Sequence, residues 1–175
     1  MNKQPTVTIQ SILDTYCTGN GLDVGCGYAK LNKPCIGVDL VPFGQLTNGN
    51  NKPPHLSMAD ISCNVLSLPF KDNTFDYVHG SHILEHITPN KTSRLTFQAL
   101  CEWLRVVKHS GYLVLFTPDI NHCIPPIAKR KGLKLYHGLQ PTEVLTMIKK
   151  LPVSIISFNA LPDINVFECI VQKVS

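Results

Sequence analysis

The stretch Gly21-Leu22-Asp23-Val24-Gly25-Cys26-Gly27 decides how this chain is read. Gly21 to Val24 is a short run ending in two alternating glycines, the pattern of a β-strand that feeds a tight turn. A glycine there has no β-carbon, so the backbone can approach a ligand closely and open a helix. A dinucleotide site would carry a third glycine at position 30 and an acid some 20 residues beyond the turn. Position 30 is Lys30, and the next strand-end acid, Asp39, comes earlier than that spacing requires.

On either side, strands and helices alternate. Ile9, Ile12, Leu13 and Tyr16 have helical spacing and predict a first helix. Cys35 to Leu40 reads as a second strand, Pro42 to Pro54 as a loop, Leu56 to Ile61 as a third strand and Phe75 to Gly80 as a fourth. Leu100, Trp103, Leu104 and Val107 mark a helix within Thr88 to Lys108, with Thr88-Pro89 as its start and Gly111 as its stop. Tyr112 to Thr117 is nearly continuously apolar, as a central strand covered on both faces requires. Val144, Leu145, Ile148 and Leu151 predict one more helix, and Val153 to Asn159 and Val166 to Val171 two last strands. The expectation is an α/β fold: a doubly wound, mostly parallel, seven-stranded sheet with an antiparallel C-terminal edge hairpin. Neither repeat nor linker divides the chain, so residues 1–175 are expected to form one domain.

Three acids add chemistry to the glycine turn. Asp23 precedes it, Asp39 closes the second strand, and Asp60 is expected to close the third. In a doubly wound sheet such ends line one crevice. Asp39 can accept hydrogen bonds from both hydroxyls of a ribose. Asp60 can accept one from the exocyclic amine of adenine, with Leu40 and Ile61 as apolar walls for the ring. Carboxylates so placed would repel a pyrophosphate but tolerate a cationic nucleoside.

Those residues resemble the class I S-adenosylmethionine-dependent methyltransferases, over roughly Gly21 to Asp119. Leu22-Asp23-Val24-Gly25-Cys26-Gly27 is similar to the family's first motif, Gly37-Val38-Asp39 to its ribose-binding strand end, and Ala59-Asp60-Ile61 to its adenine-binding one. Leu68 to Val78 resembles the family's lead into the fourth strand, and His82-Ile83-Leu84-Glu85-His86 the motif that often follows. Leu104 to Leu113 resembles the turn into the fifth strand. The resemblance implies a Rossmann-like fold and S-adenosylmethionine as cofactor, held by Asp23, Gly25, Cys26, Gly27, Asp39, Leu40, Asp60, Ile61, Ser81 and His82. The pattern is broken by Ala29, where a further glycine often sits, and by His109-Ser110 before Gly111. No cap domain is expected, so loops or another subunit would have to shape the acceptor pocket.

Methyl transfer from a sulfonium demands alignment and exclusion of water, and a base only when the acceptor must lose a proton. Two imidazoles are candidates for that base. His82 lies just past the fourth strand, and His122 lies beyond the fifth, near Asp119 and Asn121. His82-Ile83-Leu84-Glu85-His86 also matches a zinc-protease pattern, which would need to lie within a helix and have a third ligand. Following a strand in a small α/β unit, it is read here without a metal.

Composition narrows the remaining classes. The chain is 43% hydrophobic and 16% charged, as a globular domain is. It shows neither a secretory leader nor an apolar run long enough to cross a membrane, and a cytoplasmic location is expected. Seven cysteines without a C-x-x-C pair argue against a disulfide framework and a cysteine zinc site. The net charge of +4 is mild; its one cluster, Lys129, Arg130, Lys131 and Lys134, is either a solvated loop or a contact for a phosphate-bearing partner such as nucleic acid. The marks of base-directed enzymes are missing, since Pro125-Pro126 and Pro34-Cys35 lie in the wrong places for them. A small-molecule, glycan or lipid acceptor is the leading expectation. A non-catalytic interaction subunit of the same fold stays open as the alternative, and a partner subunit is compatible with either.

Overall fold

The computed structural model describes residues 8–46, 55–87, 93–119 and 139–174. Seven strands form one sheet in the order β3-β2-β1-β4-β5-β7-β6. They are β1 (Gly21–Val24), β2 (Cys35–Asp39), β3 (Ile61–Ser62), β4 (Phe75–Ser81), β5 (Val107–Pro118), β6 (Val153–Leu161) and β7 (Val166–Lys173). The pairs from β3 through β5 are parallel, whereas β7 runs antiparallel to both β5 and β6. The chain leaves β1 towards β2 on one side and returns through β4 on the other, so the strand order reverses beside β1. Such a reversal opens a crevice at the carboxyl ends of the strands.

The helices form because their apolar residues recur every three or four positions. In α1 (Ile9–Tyr16), Ile12 and Leu13 are buried against Tyr77, Val114, Phe116 and Ile170. Thr8 caps its first turn by accepting a hydrogen bond from the Ser11 amide, and the Ser11 hydroxyl accepts one from the Thr8 amide in return. On the opposite face α3 (Ser93–Val106) and α4 (Pro141–Ile148) cover the core of Leu22, Val24, Val78, Leu113 and Leu115. Trp103 is wholly buried there, and its indole donates to the Val65 carbonyl. The single turn α2 (Leu84–Ile87) lies between β4 and α3.

Three sequence expectations need correction. The third strand, expected over residues 56–61, is only Ile61–Ser62, so Asp60 precedes it rather than closing it. Leu56 instead bridges to Leu46 in antiparallel sense, and Ser57 donates its amide to the Gln45 carbonyl. The helix expected to run towards Gly111 ends at Val106, where β5 begins. Its start at Thr88-Pro89 lies outside the described residues. Last, no helix follows the glycine turn: residues 25–34 reach β2 through turns and bends.

Arg105 joins helix to loop. Its guanidinium donates to Glu102 of the same helix, to the Leu68 and Phe70 carbonyls and to Asp72, while Glu102 also accepts the Leu68 amide. Lys173 similarly donates to the carbonyls of Leu104, Arg105 and Val107, satisfying the end of α3 from the last strand. Replacing Arg105 with Ala strands Glu102 without its main partner; a loss of about 2–3 kcal/mol is expected in urea unfolding.

Candidate functional site

The glycine turn takes its shape from β2. The amides of Gly25 and Cys26 both donate to the Val38 carbonyl, at 2.8 and 3.1 Å. Gly25 (φ 67°) and Gly27 (φ 51°) adopt the left-handed conformation that side chains resist. At Gly25 space is also limiting: a β-carbon would lie 2.5 Å from Cδ1 of Ile83, whose side chain covers the turn. At Gly27 it would meet nothing within 4 Å.

Three carboxylates surround this turn. Asp39 accepts the Gly27 amide on Oδ2 and the Val41 amide on Oδ1, both at 3.0 Å. Asp60 accepts the Gly37 amide at 2.7 Å and the Lys30 ammonium at 2.8 Å. Asp23 is buried; its Oδ2 accepts the Leu31 amide at 2.7 Å and its Oδ1 lies 2.7 Å from Nδ1 of His79. All three lie close enough to Cys26 that, after burial itself, their negative charge helps push its thiol up to about 12. Cys26 is therefore a protonated packing group, not a nucleophile.

Lys30, noted in the sequence only as a missing glycine, is a brace. Its stem crosses Gly37, where a β-carbon would meet Lys30 Cδ at 2.5 Å, and its ammonium holds the Asp60 carboxyl below the usual range, helped by the Gly37 amide. His79 and the stacked pair Tyr28 and His55, 4.0 Å between ring centres, also escaped the sequence reading. Nothing in a single sequence links residues so far apart. Leu40 is 68% exposed beside Asp39, whereas Ile61 packs against the core.

Ser81 ends β4, level with Phe116 of β5. His82 follows at φ 53°, its amide donating to the Phe116 carbonyl at 2.9 Å. Since His82 stands before α2 and His86 within it, the two are not successive turns of one helix. Among the described residues no group of three His, Cys, Asp or Glu is placed to hold a metal. His122 and the cluster Lys129, Arg130, Lys131 and Lys134 lie outside the described residues. Among those described, no helix is long and apolar enough to cross a membrane.

Comparison with known proteins follows the same outline. A methyltransferase-domain family model matches residues 22–115, and the chain belongs to that family. It is 33% identical over 94 residues, 54% of this chain and 38% of the other, to an uncharacterized protein of Methanocaldococcus jannaschii. It is 30% identical over 131 residues, covering 63% of this chain and 52% of the other, to demethylmenaquinone methyltransferase of Renibacterium salmoninarum. The matches thus span about half or less of these relatives' own lengths. Among solved structures, a SAM-dependent methyltransferase of Methanosarcina mazei superposes with TM-score 0.70 over 99% of each chain at 18% identity, which shows the shared Rossmann-like fold.

Two outcomes are expected at this turn. Gly25→Ala meets both the left-handed backbone and Ile83, Gly27→Ala only the former, so Gly27→Ala should cost about 1–2 kcal/mol and Gly25→Ala more, read by urea unfolding. Because the folded Asp60 carboxyl is held down, the stability it contributes is complete above its unfolded value, about 4, and is lost as pH falls through the lower folded value. The stability difference between wild type and Lys30→Met should therefore shrink on acidification, measured across a pH series.

Proposed function

We propose that this chain binds S-adenosylmethionine across the carboxyl ends of β1, β2 and β4 and transfers its methyl group to an oxygen or nitrogen of an acceptor. The observation that carries this reading is Asp39: both its oxygens are oriented by backbone amides of the glycine turn and the strand end. Each oxygen retains lone-pair capacity for a ribose hydroxyl. The donor set fits the cofactor's chemistry, because carboxylates beside a left-handed turn suit a nucleoside that carries a sulfonium and an ammonium and no phosphate.

In this reading Asp39 holds the ribose and Leu40 offers an exposed apolar wall to the adenine. Asp60 receives the exocyclic amine while keeping Lys30 on its other bonds. Asp23, buried beneath the turn and bound through both oxygens to Leu31 and His79, shapes the turn from below rather than touching the ligand. Gly25, Cys26 and Gly27 supply the backbone surface, and Ser81 and His82 close the site from β4. The bound cofactor supplies an activated methyl group. The protein's share is to align the acceptor, exclude water and, where the acceptor carries a proton, receive it on His82, with His122 as the second candidate.

Sites of this fold are grafted onto a shared scaffold, so the acceptor class rests on the site and not on the neighbours. A non-catalytic or partner-dependent subunit is the second reading. Its support is the exposed apolar residues Leu40, Phe43, Leu46, Leu56 and Met58, which fall in the chain between β2 and the edge strand β3.

Titration calorimetry with S-adenosylmethionine tests the proposal. Binding is expected, weakened at least tenfold by Asp39→Ala with the fold retained by circular dichroism. Absence of heat and of thermal shift at millimolar cofactor would reject the enzyme and favour the interaction subunit.

A further inference from the structure

Glu85 is a buried ionisable group just past the carboxyl end of β4 that the proposed function leaves without a task. Its side chain is 3% exposed, yet two exposed imidazoles flank it. Nδ1 of His82 lies 3.4 Å from Glu85 Oε1, and Nε2 of His86 lies 3.9 Å from the same oxygen. The other oxygen, Oε2, is buried with no hydrogen-bond partner. A carboxylate held in this way is an expensive way to fill space, because an apolar side chain of similar size would avoid the desolvation. His82 is constrained on its backbone as well, by its left-handed φ and by the bond from its amide to Phe116. Strain of this kind collects where a side chain must be aimed.

We propose that Glu85 is a positioning residue that fixes His82 as the Nδ1–H tautomer, so that Nε2 carries the lone pair that receives the acceptor's proton. The inference rests on the methyltransferase reading and assigns a residue to its proton transfer. With one ring nitrogen turned to a buried carboxylate, the other belongs to a ring that is 58% exposed. As the acceptor's oxygen or nitrogen bonds to the methyl carbon, the old carbon–sulfur bond breaks with its electron pair left on sulfur. The acceptor's proton passes to Nε2, and the imidazolium so formed faces the Glu85 carboxylate, which offsets its charge. His86, farther from Oε1, is the weaker partner.

Nitrogen-15 NMR of histidine-labelled protein at alkaline pH, where imidazole is neutral, reads the tautomer directly. Wild type should show His82 protonated on Nδ1. In Glu85→Leu, which offers Nδ1 no acceptor, His82 should revert to the Nε2–H form that a free neutral histidine favours, while affinity for S-adenosylmethionine stays within threefold. His82 protonated on Nε2 in wild type, or a tautomer unchanged in the variant, overturns the proposal; the wild-type measurement decides even if the variant does not fold. Calorimetry on the same samples separates the two claims: a tautomer that switches in a protein that does not bind the cofactor rejects the methyl-transfer role and keeps the orientation of His82 by Glu85.

Discussion

The Val38 carbonyl accepts two amides at once, from Gly25 and from Cys26, and that double acceptance pins the glycine turn to the end of β2. The β1–β2 side of the site is hung from it. The turn can lie so close to β2 only because Gly25 and Gly27 take positive φ angles, and Ile83 can cover it only because Gly25 has no side chain. Asp39 then ties Gly27 to the same strand end, so β1, the turn and β2 form one rigid corner.

The missing helix between β1 and β2 changes what the acids do. In a doubly wound fold the helix after the glycine turn would satisfy its own backbone. Here residues 25–34 are held from outside, with Leu31 bound by Asp23, Gly27 by Asp39 and Lys30 by Asp60. Lys33 adds a tie to Asp14 of α1. The carboxylates that suit a cationic nucleoside are thus also the supports of the loop that would surround it. Cofactor binding as proposed would draw on the same oxygens that hold the loop.

The fold was legible because its signals are local. Gly25-Cys26-Gly27 marks its turn without help, the near-continuous apolar run from Tyr112 to Thr117 can only be an inner strand, and Ile9 to Tyr16 carries its own helical period. The boundaries that shifted were set by tertiary bonds: Leu56, apolar and strand-like in sequence, pairs with Leu46 instead of extending β3. At the site, Asp39 and Asp60 could be named from their places beside strands. The partners that define their geometry could not. Lys30 became a brace only because Gly37 lets its stem cross, and Asp23 met His79 only because β1 and β4 align them in register. Burial of Glu85, a charged residue, runs against composition and could not be read from the motif that contains it.

Both edges of the sheet are poor templates for pairing with a further strand. At one edge β3 is two residues long; at the other, β6 carries Ile156 as an extra residue opposite β7, between the pairs Ile155 with Val171 and Ser157 with Ile170. Ile155 and Ile156 are both partly exposed on that outer strand, the composition of a segment prone to stack into fibrils. A bulge there breaks the regular ladder that an incoming strand would need, and so short a strand at the far edge offers almost none. Irregularity at the β6 margin interrupts, beside the adjacent isoleucines, the regular ladder on which another strand would pair.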